Sequence, residues 1–299
     1  MYQPKTTARS EFVPIRNLNY HVLIWGEPVP DQAPLVMVHG WMDVAASWQF
    51  VVDALAHGRH VIAPDWRGYG LTQAPPTDNY WFPDYLADLD FLLDHYTGTN
   101  AVDLVGHSMG GNIATLYAGV RPERVRRLVN LEGFGMARTE PAQAPGRYAK
   151  WMDELKTLHR GEMALKAYAD SAGVARRLMK TNPRLTADKA AWLATQWARV
   201  NAQGQWEIMG DPAHKIINAN LYQVEEALAI YARITAPALV VESSENDLDK
   251  WWGGKYTLAE YRERIKSIPD LRISIIQEAG HMLHHDQPEK LAAMIEAFL

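Results

Sequence analysis

The chain has 299 residues, 47% of them hydrophobic, which is enough for one large core or for a core with a smaller appended module. A net charge of −5 gives no electrostatic case for nucleic acid or an anionic membrane, and the absence of cysteine removes disulfides, thiolate metal sites and cysteine nucleophiles together. Met1 to Phe12 carries no apolar signal region, and no run reaches the length of a membrane span, so a soluble, cytoplasmic protein is expected.

Phe12–Arg16 and Tyr20–Trp25 alternate as two antiparallel strands around an Asn17-Leu18-Asn19 turn. Leu35–Val38 is a continuous apolar run, as in a strand buried on both faces, and His39-Gly40-Trp41-Met42-Asp43 follows it directly. A helix is expected from about Ser47 to Ala56, a buried strand at Val61–Ala63 and a helix at Tyr85–His95. Val102–Val105 reads as another buried strand. After it come Gly106-His107-Ser108-Met109-Gly110 and the helical stretch Gly111–Ala118. Strand, sharp turn and helix are the setting in which G-x-S-x-G presents a serine nucleophile, with glycines where side chains would not fit. Arg127–Leu131 is the next strand. Strands alternating with helices indicate a mostly parallel α/β sheet.

The alternation stops at Gly133. From Phe134 to about Tyr222 helical patterns (Tyr148–Leu158, Met163–Tyr168, Ala187–Val200) occur without a clear buried strand. This predicts a helical cap, residues 134–222, inserted after the sixth strand of a core made of residues 1–133 and 223–299. Of the eleven tryptophans, Trp151, Trp192, Trp197 and Trp206 fall in it, where a core role is commoner than contact with a substrate. The core resumes with a helix at Gln223–Ala232, strands at Ala238–Val241 and Ile273–Ile276, and helices at Leu258–Ile265 and Pro288–Leu299.

A serine hydroxyl needs a base. His281 stands just after the last buried strand, on a loop at the C-terminal edge of the sheet that faces the same crevice as Ser108. His107 belongs to the elbow turn and points elsewhere, and His284 and His285 are read as structural or solvated. For the acid that orients the base, Asp247 after the strand Ala238–Val241 is the first choice, with Glu132, directly after the strand Arg127–Leu131, and Asp249 as alternatives. The backbone N–H groups of Met109 and Trp41 are the expected oxyanion donors.

The assembled pattern resembles the α/β-hydrolase fold superfamily. The residues that carry the resemblance are His39-Gly40-Trp41, Asp65-Trp66-Arg67-Gly68-Tyr69-Gly70, Gly106–Gly111, Asn246-Asp247 and Gly280-His281. His39–Asp43 with Ala45-Ala46-Ser47-Trp48 is similar to the serine-hydrolase-like branch, and Asp211-Pro212-Ala213-His214-Lys215 is similar to a cap-end motif of bacterial hydrolases in that neighbourhood. One departure is that Ser243-Ser244 replaces the usual glycine after the penultimate core strand. The resemblance implies a doubly wound, mostly parallel sheet and a triad acting on an ester through an acyl-enzyme, without cofactor or metal. A small or medium, neutral, partly apolar ester is the expected substrate. Carbon–carbon bond hydrolysis or perhydrolysis with the same triad, and a ligand-binding protein with little turnover, are the alternatives.

Overall fold

The N-terminal residues form a hairpin in which β1 (Arg9–Ile15) is exposed at its start and alternates toward its end, β2 (Leu18–Trp25) is buried over most of its length, and Arg16 turns the chain at φ 56°. The turn is thus Arg16-Asn17, and Leu18 already pairs with Ile15. The computed structural model describes residues 2–56 and 58–299. The strands β3 (Leu35–Val38) and β4 (Val61–Pro64) are buried throughout, as their unbroken apolar runs require. Between them the predicted helix is shorter than expected: a 3₁₀ turn at Ala45–Trp48 runs into α1 (Gln49–Val52). Helix α2 (Pro83–Thr97) leads to β5 (Val102–His107), α3 (Met109–Val120) and β6 (Val125–Leu131).

The segment after β6 differs from the all-helical expectation. It holds α4 (Ala144–His159), β7 (Ala167–Tyr168), α5 (Ser171–Thr181), α6 (Ala187–Trp197), β8 (Ala198–Val200) and β9 (Trp206–Ile208). The helix expected at Met163–Tyr168 is absent, the stretch being a turn and irregular chain that ends in β7, and the expected helix Ala187–Val200 ends in β8. These strands pair with β9 into a three-stranded antiparallel sheet ordered β7-β9-β8. Strands of two or three residues are too short to show a period of two, so the pattern could not reveal them. Helices α5 and α6 bury Val174, Leu178, Leu193 and Ala194 in a small core of their own, to which Phe50 of α1 also belongs.

The chain then returns through α7 (Val224–Tyr231), β10 (Ala238–Ser243), α8 (Leu248–Trp251), α9 (Leu258–Ile265), β11 (Leu271–Ile276), α10 (Leu283–Asp286) and α11 (Pro288–Phe298). The main sheet has eight strands in the order β1-β2-β4-β3-β5-β6-β10-β11. From β4 to β11 every neighbouring pair is parallel; only the β1–β2 hairpin and its junction with β4 are antiparallel. Apolar clusters cover both faces, one including Leu89, Ile113, Tyr117 and Tyr261 and the other Trp48, Val51, Leu291 and Ile295. The parallel strands therefore open their C-terminal ends onto a single crevice. No described helix is long and apolar enough to cross a membrane.

Candidate active site

Ser108 sits between β5 and α3 with φ 53° and ψ −115°, a left-handed backbone that a non-glycine residue adopts only when its surroundings enforce it. The enforcement is steric. A Cβ on Gly106 would collide with the Gly110 carbonyl, and one on Gly110 with the Val38 and His39 carbonyls. Gly40 is close but less tightly confined: a Cβ there would lie 3.1 Å from the Ser108 Cβ and 3.0 Å from His107 Nδ1. The turn after β3 is held over the elbow by His39, whose Nδ1 donates to the Gly40 carbonyl (2.8 Å) and whose Nε2 accepts from the Trp66 amide (2.9 Å).

The Ser108 hydroxyl lies 3.0 Å from His281 Nε2. On the other side of the ring, His281 Nδ1 is 3.3 Å from Glu132 Oε2. The carboxylate brought to His281 is therefore that of Glu132 and not that of Asp247, which the sequence reading put first. Asp247 stands at the N-terminus of α8, where its Oδ1 accepts from Lys250 Nζ (2.5 Å), and no hydrogen bond joins it to His281 among the described residues. Asp249 accepts from the Leu258 amide (3.0 Å), tying down the start of α9. Glu132 reaches inward because its own backbone turns left-handed (φ 57°) at the end of β6. Its other carboxylate oxygen accepts from the Ser243 amide at 2.6 Å, so the Ser243-Ser244 departure from the usual glycine lies against this carboxylate.

Burial sets the electrostatics. Glu132 is 2% exposed, and loss of water pushes its carboxyl up to about 8. Burial likewise pushes His281 down to about 4, against the attraction of Asp43 and Asp247. The two groups share one proton near neutrality, and their titration belongs to the pair.

Other groups hold His281 in position that sequence reasoning did not single out. Trp251 of α8 meets the His281 ring edge to face at 4.5 Å. Asp286 accepts from the Gly280 amide (2.9 Å), fixing the loop that carries His281. His107 points away from Ser108, as expected, and donates from Nε2 to the His281 carbonyl at 2.7 Å. His284 and His285 are both buried, so the solvated alternative does not hold for either. Trp251 ends a helix of a single turn in a stretch of mixed charge, too short to give a periodic signal by which it could have been found.

Met109 is the first residue of α3, so its amide has no intrahelical acceptor. Trp41 lies at the tip of the turn carrying Gly40 and is half exposed beside a cavity of about 950 Å³. His281 and Trp251 also line that cavity, together with Leu165, Tyr168, Leu178 and Trp197 from the inserted segment. Of the four tryptophans singled out there, Trp197 alone lines the cavity; Trp192 packs on Tyr2 and Phe50 instead. The wall also carries Lys166, Arg177, Lys215 and the ion pair Arg184–Glu245, so it is more polar than the sequence suggested.

The segment is clamped to the core at its end. The His214 ring stacks between Tyr69 (3.9 Å) and Tyr80 (3.7 Å), Gly70 donates to the Met209 carbonyl, and the Asp211 amide donates to the Gly68 carbonyl, each at 2.9 Å.

A serine hydroxyl on an imidazole that is itself backed by a carboxylate can serve as a general-base-activated nucleophile. Over its full length the chain is similar to a serine hydrolase-like protein of Danio rerio, at 24% identity across 98% of this chain and 89% of that one. Over 107 residues, 35% of this chain and 38% of the relative, it is 39% identical to a 2-hydroxy-6-oxo-2,4-heptadienoate hydrolase of Pseudomonas putida. The thioesterase domain from the curacin biosynthetic pathway has the same fold, with a TM-score of 0.82 at 22% identity over 97% of this chain and 99% of that domain. The family model for the alpha/beta hydrolase fold matches residues 33–288, and the chain belongs to that family.

Proposed function

We propose that the protein is a serine hydrolase that cleaves a small or medium, partly apolar carboxylic ester, with Ser108 as nucleophile, His281 as base and Glu132 as the acid. The observation that carries this reading is the continuous line of contacts from Ser108 Oγ to His281 Nε2 (3.0 Å) and from His281 Nδ1 to Glu132 Oε2 (3.3 Å). Ser108 attacks the ester carbonyl while His281 takes its proton, and Glu132 stabilises the imidazolium and keeps the ring in the right tautomer. The amides of Met109 and Trp41 receive the oxyanion, each worth about 3 kcal/mol of barrier in comparable sites. His281 then protonates the leaving alcohol. It next activates a water that attacks the acyl-enzyme, releasing the acid and restoring Ser108.

The insertion of residues 134–222 acts as the cap, since its Leu165, Tyr168 and Trp197 wall the cavity above His281. The same triad could open a carbon–carbon bond, an alternative favoured by the partial similarity to the 2-hydroxy-6-oxo-2,4-heptadienoate hydrolase of Pseudomonas putida. The ester reading needs the fewest further groups.

The deciding experiment is turnover of p-nitrophenyl esters of graded acyl length, run beside labelling with a fluorophosphonate probe. The reading requires wild type to turn over and to be labelled, and Ser108→Ala to lose both. A wild type that is labelled but silent on every ester would move the assignment to the carbon–carbon substrate class. A wild type that is neither labelled nor active would refute the serine nucleophile.

A further inference from the structure

Beside the elbow, among residues that do not line the cavity, lies a cluster that the proposed hydrolysis does not use. Asp43, His107 and His284 each turn a ligating atom toward a common point, with these atoms within 4.8 Å of one another. All three side chains are sealed from water, being 3%, 2% and 0% exposed. Asp43 Oδ2, His107 Nδ1 and His284 Nε2 have no hydrogen-bond partner among the described residues, and neither has His284 Nδ1 on the far side of its ring. Buried polar atoms are nearly always satisfied, so several orphans converging in one place need an occupant.

We propose that Asp43, His107 and His284 form a binding site for a divalent transition-metal ion, with zinc as the best fit. The other contacts of each residue already orient it for this. His107 must carry its proton on Nε2, because that atom donates to the His281 carbonyl; Nδ1 is therefore left with a free lone pair. Asp43 is fixed through its other oxygen, which accepts from the Val44 amide (2.8 Å) and from the Ser47 hydroxyl. Its Oδ2 stands 3.6 Å from His284 Nε2, too far for a hydrogen bond but close to the spacing of two ligands on one ion. Zinc bonds of about 2.0–2.1 Å in a tetrahedron separate ligands by about 3.3 Å, so the cluster must contract by up to about 1.5 Å along its longer edge. Two imidazoles and one carboxylate suit zinc or cobalt(II) and disfavour magnesium and calcium, which prefer oxygen throughout.

The site is distinct from the cavity but coupled to the base. An ion on His107 Nδ1 would pin the ring whose opposite nitrogen holds the His281 carbonyl. This inference is independent of the ester reading, since its test requires no turnover.

The test is to strip the purified full-length protein with chelator, add cobalt(II) and record the visible spectrum and the paramagnetically shifted proton signals, with zinc titrated in parallel. The expected result is one ion per chain, d–d bands of a low-coordinate nitrogen and oxygen site, and shifted ring protons from two histidines. Zinc at a hundredfold excess over its Kd should raise Tm by roughly 5 °C. Asp43→Asn, which keeps the acceptor for the Val44 amide, and His284→Leu should each abolish the bands, whereas His159→Gln at the exposed His159–Asp78 pair should leave them intact. If wild type takes up no cobalt, or if both variants bind it as wild type does, the site does not exist. Should neither variant fold, the count of shifted histidines in wild type decides: two support the site, and none or one overturns it.

Discussion

Glu132 meets His281 across the mouth of the sheet, its Oε2 3.3 Å from Nδ1, from the end of β6 rather than from the strand that follows the insertion. This relationship separates two carboxylates that sequence order alone left competing. With Glu132 as the orienting acid, Glu132→Gln should lower kcat/KM for an ester by roughly 10³- to 10⁴-fold, because the amide presents its N–H toward the ring nitrogen that must carry a proton. Asp247→Asn should change it by less than about threefold, since its partner is the exposed Lys250. Steady-state kinetics of the two variants decide the matter, and the reverse ranking would reinstate Asp247.

The same pair sets the pH dependence. Burial pushes Glu132 up to about 8 and His281 down to about 4, so one proton stays on the pair across the neutral range. The base-competent form, carboxylate with neutral imidazole, appears only when that proton leaves. The kcat/KM of wild type should therefore rise with pH to a plateau, with an apparent pKa near 8. Removing the carboxyl leaves a buried imidazole that is neutral well below pH 7, so the residual activity of Glu132→Gln should lose this limb and run flat from pH 6 to 9. A limb that persists unchanged in the variant would mean that another group titrates there.

How much of this was legible in the sequence can be judged from Ser108 and Glu132. Ser108 announced itself because its backbone needs three glycines nearby, Gly106, Gly110 and Gly111, and glycines in fixed register are visible in one dimension. His281 was visible for a similar reason, being the histidine that follows the last apolar strand. Which of two neighbouring strand ends, β6 or β10, turns its carboxylate toward His281 depends on the left-handed turn at Glu132 and on the Ser243 amide. Neither leaves a periodic trace. The short strands Ala167–Tyr168 and Trp206–Ile208 escaped because they are stabilised by pairing with each other and not by a hydrophobic pattern of their own.

The closure of the inserted segment should depend on His214. Its ring is flat against Tyr69 (interplanar 7°) and Tyr80 (19°), and burial keeps it neutral by pulling its pKa to about 3. His214→Ala removes two stacked contacts worth roughly 0.5–1.5 kcal/mol each. The expected result is faster cleavage around Gly210–Lys215 in limited proteolysis and a lowered Tm, with His214→Phe restoring most of both. Equal proteolysis of wild type and His214→Ala would show that the backbone bonds from Gly70 and Asp211 suffice.

Trp251 offers the last and most local test. Its ring closes one side of His281 at 4.5 Å and 86°, while its own outer face is half exposed in the cavity wall. The imidazole has two hydrogen bonds in its plane and the His107 ring at 4.9 Å on one flank, so the edge-to-face contact with Trp251 adds a second flanking restraint against rotation out of line with Ser108. Trp251→Ala should lower kcat about tenfold, the cost of a loosened base, and Trp251→Phe should recover most of that loss because it keeps an aromatic neighbour. A KM effect alone, with kcat unchanged, would instead make Trp251 a wall for the acyl or alcohol group. The ratio of the two kinetic effects thus separates a residue that positions the base from one that merely shapes the cavity.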